Sequence, residues 1–226
     1  MGARKLVFRL LMKMDKSDSY SNILLDNALE QTKLSPKDRA FASALFYGVI
    51  ERRLTLDFLI RAYSATEFDD ISAEAVQILR MGLYQLAYMD SIPESAAVNE
   101  SVNLAVYCKK PNLKGFINAI LRTYIRKGKR LDTSGLDELM ALSVQYSCPR
   151  WLVKMWVNDF SMETAVSILK STLGRPPLYF RANTQRFKPD EVLKLLEKDG
   201  FKAKKSAFLP ACIEIEKAVP IEGSRA

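Results

Sequence analysis

The sequence predicts a mainly α-helical protein: an all-helical bundle over residues 1–131, then linker helices and a small α+β subdomain over 132–226. Three observations lead there. Up to Arg130 the apolar residues recur at three- and four-residue steps, with no convincing strand. Leu131-Asp132-Thr133-Ser134-Gly135 is polar and ends on glycine, which marks a boundary. Beyond Pro176-Pro177 the period changes, and Leu178-Tyr179-Phe180-Arg181-Ala182-Asn183 alternates as a strand does.

The first helix runs over residues 3–14, with Leu6, Phe8, Leu10, Leu11 and Met14 apolar, and a polar break follows at Asp15–Tyr20. A second helix over 21–31 holds Ile23, Leu24, Ala28 and Leu29. Ser35-Pro36-Lys37-Asp38 is a helix start: serine at the N-cap, proline at the first helical position, a carboxylate three residues after the cap. Behind it lie Ala40, Phe41, Ala44, Leu45, Tyr47 and Gly48, and the pattern continues to Tyr63 as two helices in close succession. Arg52, Arg53 and Arg61 form a minor basic group there. Residues 72–89 are apolar on nearly every side, which predicts a buried central helix whose tyrosines and methionines fill the core. Ile92-Pro93-Glu94 opens a helix to about Tyr107.

In the next helix Leu113, Phe116, Ile117, Ile120, Leu121, Tyr124 and Ile125 make the apolar face. Lys114, Asn118, Arg122 and Arg126 step by four along the opposite side, and Gly128 supplies the stop. Seven helices are expected to Arg130. Shorter helices follow over 136–144, 149–159 and 161–172, then a strand, a helix over 189–199 stopped by Gly200, and strands over 201–207 and 211–215. No element after Pro220 completes that sheet, so the natural chain is expected to continue.

Charge points to a partner. The chain of 226 residues carries 34 Lys and Arg against 26 Asp and Glu, a net charge of +8. Between Ser101 and Leu131 there are eight cations (Lys109, Lys110, Lys114, Arg122, Arg126, Lys127, Lys129, Arg130) and no carboxylate. A basic helix end is favoured by the helix dipole, but eight uncompensated cations exceed that need and suit a polyanion. Arg181, flanked by Tyr179 and Phe180, is a further candidate RNA contact, with the alternation placing some of these residues in the core.

Other chemistries are excluded or weak. Histidine is absent, which removes Ser-His-Asp and Cys-His catalysis and histidine-ligated metals. Cys108, Cys148 and Cys212 are too widely spaced for a zinc site or a disulfide framework, which suits the cytoplasm. Cys148, just before a helix, reads as a small cap-region residue. Gly174-Arg175-Pro176 lacks the pattern of a phosphate loop, and Glu94, Glu100, Asp69 and Asp70 read as surface charge. No apolar run is long enough for a membrane span, and residues 1–9 do not form a signal peptide.

Two groups of residues carry a resemblance. Ile92-Pro93-Glu94-Ser95-Ala96-Ala97-Val98-Asn99-Glu100-Ser101-Val102, followed by Gly115-Phe116-Ile117-Asn118-Ala119-Ile120-Leu121-Arg122, resembles the NusB-like RNA-binding domain. Joined to Tyr146-Ser147-Cys148-Pro149-Arg150-Trp151-Leu152, Arg181-Ala182-Asn183-Thr184 and Gly200-Phe201, the chain is similar to the bacterial RsmB (Sun/Fmu) family. That family comprises S-adenosylmethionine-dependent cytosine-5 methyltransferases of small-subunit (16S) ribosomal RNA. Cys148 departs from the family pattern, which leads to a ring-bearing residue there. The resemblance implies a NusB-like domain to about residue 131 and the start of an RRM-like subdomain after it. It implies ribosomal RNA as partner, together with the protein's own catalytic domain, which lies beyond residue 226 with its two cysteines. These residues would then hold no cofactor and no metal and perform no chemistry, S-adenosylmethionine being bound by the parent enzyme. The competing readings are a stand-alone NusB-like transcription antitermination factor, disfavoured by the residues after Arg130, and a protein-interaction bundle with an incidental basic end.

Overall fold

The computed structural model describes residues 2–16, 20–174 and 176–217. The expectations for Ser17–Ser19, for Arg175 and for Pro220–Ala226 lie outside the described residues. The described residues form eleven α-helices, one short 3-10 turn and a three-stranded antiparallel sheet. They divide into two compact units, Met1–Leu173 and Gly174–Ala226.

The first unit contains α1 (Ala3–Met14), α2 (Ser21–Glu30), α3 (Pro36–Glu51), α4 (Arg53–Tyr63), α5 (Ala73–Tyr88), α6 (Glu94–Tyr107) and α7 (Leu113–Arg126). The start of α3 forms as the sequence predicts: Ser35 Oγ accepts the Asp38 N–H at 3.1 Å and donates to its carboxylate at 2.7 Å. The continuous apolar pattern from Ala40 to Tyr63 breaks at Arg52, whose backbone leaves the helical region. The inward stripe of α3 is Ala42, Leu45, Phe46 and Val49, a single three-four spacing, whereas Ala40 is exposed and Tyr47 is 40% exposed. On α2 the buried residues are Leu24, Leu25 and Leu29, and Ile23 faces water at 55% exposure. One residue is 100° of helix, so choosing a neighbour misses the face.

α5 is the central post. It packs against α1, α3, α4, α6 and α7, and eleven of its residues are buried. Burying it also buries polar groups, and each finds a partner except Gln77 Oε1. Arg80 forms a bidentate pair with Asp57, Nε to Oδ1 at 2.6 Å and Nη2 to Oδ2 at 2.8 Å, with Asp15 at 3.8 Å. Gln85 Oε1 accepts from Arg4 Nε at 2.7 Å. Gly82 lets α6 and α7 close on α5: a Cβ there would lie 2.8 Å from Leu121 Cδ1 and from Ser101 Oγ.

Three shorter helices complete this unit: α8 (Glu138–Tyr146), α9 (Arg150–Asp159) and α10 (Met162–Ser171). α8 begins two residues later than expected because Asp137 caps it, accepting the Met140 N–H at 3.0 Å. Its C-terminal end docks on the exposed N-terminus of α4. Ser147 Oγ accepts the Leu54 N–H at 3.1 Å, and Thr55 Oγ1 donates to Val144 O at 2.6 Å. Each helix end thereby satisfies orphan groups of the other. Cys148 is buried, and burial raises its thiol pKa, in keeping with a small structural residue.

In the second unit β1 (Leu178–Arg181), α11 (Pro189–Lys198), β2 (Lys202–Lys205) and β3 (Cys212–Lys217) give the strand order β1-β3-β2. Leu196, Phe201, Ile213 and Ile215 form its core, with Phe180, Val192, Leu193 and Ala203 packed against them. Phe180 lies opposite Ile213 and meets Phe201 edge-on at 5.8 Å, so it is a core residue. Tyr179 and Arg181, opposite Glu214 and Cys212, take the other face. Each unit thus buries a core of its own, as a mainly helical bundle and a small α+β layer require.

Candidate nucleic-acid interface

α7 supplies the predicted basic face. Ile117, Ile120, Leu121 and Tyr124 are buried, while Lys114, Arg122 and Arg126 are exposed on the opposite stripe. The stripe Lys114–Arg126 extends roughly 18 Å at the usual rise of a helix. Its members brace one another locally: Arg122 Nε donates to Asn118 Oδ1 at 3.0 Å, and Arg126 Nη2 to Thr123 Oγ1 at 2.9 Å.

Two tight helix ends hold the remaining cations. At the end of α7, Gly128 takes φ +74°, the Gly128 N–H reaches Ile125 O at 2.9 Å, and the Lys129 N–H reaches Tyr124 O at 3.0 Å. Two tyrosines then fix the basic segment that follows. Tyr124 Oη donates to Lys129 O at 3.1 Å, and Tyr63 Oη donates to Arg130 O at 3.3 Å. Burial pushes the Tyr124 phenol up to about 12, with smaller contributions from Tyr88 and Tyr63. It therefore stays a donor at any physiological pH. α6 ends the same way, but Lys109 occupies the left-handed position at φ +60°. Its N–H bonds Val106 O at 3.0 Å, and the Lys110 N–H bonds Ala105 O at 2.9 Å. The geometry that glycine favours is imposed here on a lysine, which directs its ammonium outward.

Not every predicted cation is available to a ligand. Lys110 Nζ sits 2.7 Å from Glu74 of α5, and that hydrogen bond is the main cause of the lowered Glu74 pKa. Lys129 Nζ sits 3.1 Å from Glu94 of α6. Among the described residues no carboxylate lies in ion-pair range of Lys109, Lys114, Arg122, Arg126, Lys127, Arg130 or Arg181. Arg181 belongs to the second unit and the other cations to the first. The minor group of arginines is dispersed: Arg52 lies over the Tyr88 ring, Arg61 over Phe68, and Arg53 near Asp15.

α1 carries a second basic face, outside the cationic segment between Ser101 and Leu131. Lys5, Arg9 and Lys13 lie on one side of α1, all exposed, and α1 has no carboxylate. Lys5 Nζ stands 5.0 Å from the Tyr107 ring centroid, which joins α1 to the end of α6 just before Lys109. The i, i+4, i+8 spacing of Lys5, Arg9 and Lys13 is a legible signal.

Between α1 and α2 runs a groove of about 450 Å³ lined by Leu6, Arg9, Leu10, Lys13, Leu24, Asn27, Ala28, Gln31 and Thr32. It offers no carboxylate for a ribose and no glycine-rich turn for a nucleotide. No group of His, Cys, Asp or Glu suited to a metal occurs among the described residues. No described helix is long and apolar enough to cross a membrane.

A helical bundle that presents uncompensated cations along α7 offers a surface suited to a polyanion. The sequence model described as the NusB family matches residues 1–126, and the chain belongs to that family. A second, described as the ferredoxin-like domain of RsmF/B-like methyltransferases, matches residues 148–222. The chain is 34% identical over 211 residues to the probable ribosomal RNA small subunit methyltransferase B of Synechocystis sp., covering 92% of this chain and 47% of that protein. It is 27% identical over 214 residues to the Bacillus subtilis protein of the same name, covering 95% and 48%. With ribosomal RNA small subunit methyltransferase B of Escherichia coli O1:K1 the identity is 34%, over 92% of this chain and 46% of the other. The chain thus spans about half the length of the curated relatives it matches. The crystal structure of PH0851 shares the fold, with a TM-score of 0.65 at 15% identity, over all of this chain and 51% of that one.

Proposed function

We propose that this chain is the RNA-holding part of a small-subunit (16S) rRNA cytosine-5 methyltransferase, working in the cytoplasm. The observation that carries the reading is the set of exposed cations on α7 and its flanking turns that no carboxylate neutralises. Lys109, Lys114, Arg122, Arg126, Lys127 and Arg130 contact phosphates, and Lys5 of α1 extends that surface. Lys110 and Lys129 contribute less, because a phosphate must compete there with Glu74 and Glu94. Arg181 makes a separate contact from the second unit.

On this reading the NusB-like domain ends near residue 131, and α8–α10 connect it to the RRM-like subdomain. The relatives' names supply the rest: a methyltransferase needs a methyl donor, S-adenosylmethionine, and a domain to bind it. On this reading the described residues hold RNA, and no chemical step is assigned to them. The docking of α8 on the N-terminus of α4 gives the connecting helices a fixed place on the bundle. Binding to a 16S rRNA transcript at two salt concentrations tests the reading. A steep loss of affinity between low and physiological salt supports it, and no binding, or binding indifferent to salt, overturns it.

A further inference from the structure

Two loops leave the same end of the three-stranded sheet. β1 ends at Arg181 opposite Cys212, the first residue of β3, and the Ala182 N–H donates to Ala211 O at 2.8 Å. The connection from β1 to α11 and the β2–β3 hairpin therefore start side by side. Each presents a ring to water: Phe187 is 47% exposed on the connection, and Phe208 is 87% exposed at the hairpin tip. Neither belongs to the core of this unit.

Both loops are held in shape by their own hydrogen bonds. Ser206 Oγ accepts the N–H groups of Phe208 and Leu209, each at 3.2 Å. Asn183 O accepts those of Arg186 and Phe187, each at 2.9 Å. The rings are presented in advance, so little ordering is left for a ligand to impose. The ionisable residues of the two loops and of the strand end beside them are Arg181, Arg186 and Lys188, all cations. The acids at the start of α11 are engaged: Asp190 with Lys205 Nζ at 2.5 Å, and Glu191 Oε2 with the Lys188 N–H at 2.9 Å. The open face of the sheet is a poorer surface for a polyanion, since its central strand presents Glu214 and Glu216 there, paired with Lys202 and Lys204.

Exposed rings among cations suit a chain that alternates flat bases with phosphates: any base can stack on a ring, and guanidinium and ammonium groups pair with the backbone. We propose that this end of the sheet binds unpaired nucleotides of single-stranded RNA, with Phe187 and Phe208 as stacking faces and Arg181, Arg186 and Lys188 as phosphate contacts. The proposal rests on the rRNA reading above and adds a second, differently built contact to it.

The test uses the whole chain and two labelled probes, a short uridine-rich single strand and a fully paired RNA hairpin. Phe208→Ala is expected to weaken single-strand binding by about tenfold, leave the salt slope unchanged and spare the hairpin, with Phe208→Trp restoring the affinity. The exposure of Phe208 means that its removal empties no core. If Phe208→Ala and Phe187→Ala both bind the single strand like the native chain while Arg122→Gln with Arg126→Gln is weakened, the sheet-end contact is refuted and the rRNA reading stands. Sensitivity to the phenylalanines with indifference to the arginines supports the sheet end and removes α7 from the interface. Failure of the native chain to bind either probe overturns both.

Discussion

Replacing Arg122 and Arg126 with glutamine tests the proposed interface most directly. Both side chains are exposed and, among the described residues, bonded only to Asn118 and Thr123 of the same helix, so the fold should tolerate the change. The structure sets the magnitude. Eight cations lie between Ser101 and Leu131, but Glu74 and Glu94 hold two of them, leaving six for phosphates. On single-stranded RNA each phosphate contact contributes roughly 0.7 to the salt slope, so these six contribute about 4 of it, beside what α1 and Arg181 add. Between 50 and 200 mM salt the six account for about 300-fold of the affinity loss, and the four left in the double variant, contributing near 3, for about 50-fold. Lys110→Gln with Lys129→Gln should change the slope much less. Fluorescence titrations of one labelled rRNA fragment across that salt range measure all three. A double arginine variant with the native slope would falsify the assignment of α7, and equal effects from the two pairs would refute the argument from ion pairing.

Asp57→Ala strands Arg80 inside the bundle without its bidentate partner, and urea denaturation should show a loss of about 3–5 kcal/mol. Lys109→Gly relieves a left-handed residue, so the thermal midpoint should rise, by about 1 kcal/mol of stability, while the RNA salt slope falls by roughly 0.7. Gly82→Ala forces a methyl against Leu121 and Ser101 and should cost about 1–3 kcal/mol in the same denaturation assay. Tyr124 titrates higher in the folded chain, at about 12, than an unfolded tyrosine near 10. Its contribution is therefore complete below pH ~10 and is lost as pH rises towards 12. Melting curves across that range should fall less steeply for Tyr124→Phe than for the native chain.

The helices, their caps and the change to strands were legible because each depends on neighbours along the chain. Ser35 caps α3 through Asp38, three residues away, and α7 ends with the Gly128 N–H on a carbonyl three residues back and the Lys129 N–H on one five back. Strand alternation sets Tyr179 and Phe180 on opposite faces, and packing against Ile213 and Phe201 makes the Phe180 face the inner one. The misses have two physical sources. One is angular: Ile23 and Tyr47 sit a single residue from the stripes that do pack, and a pattern of apolar letters does not resolve 100°. The other is distance: Lys110 meets Glu74 and Lys129 meets Glu94 across 36 and 35 residues of chain, and nothing local announces those pairs.

The sequence by itself determined where the positive charge is concentrated, the amphipathic helix that displays it and the family to which the chain belongs. Those follow from residue type and spacing. Only the tertiary structure decided which of the eight cations remain unpaired, how Tyr63 and Tyr124 pin the segment after α7, and that α8 settles on the N-terminus of α4. A charge or an orphan backbone group is satisfied by whatever folding brings within about 3 Å, and that partner can lie anywhere in the chain.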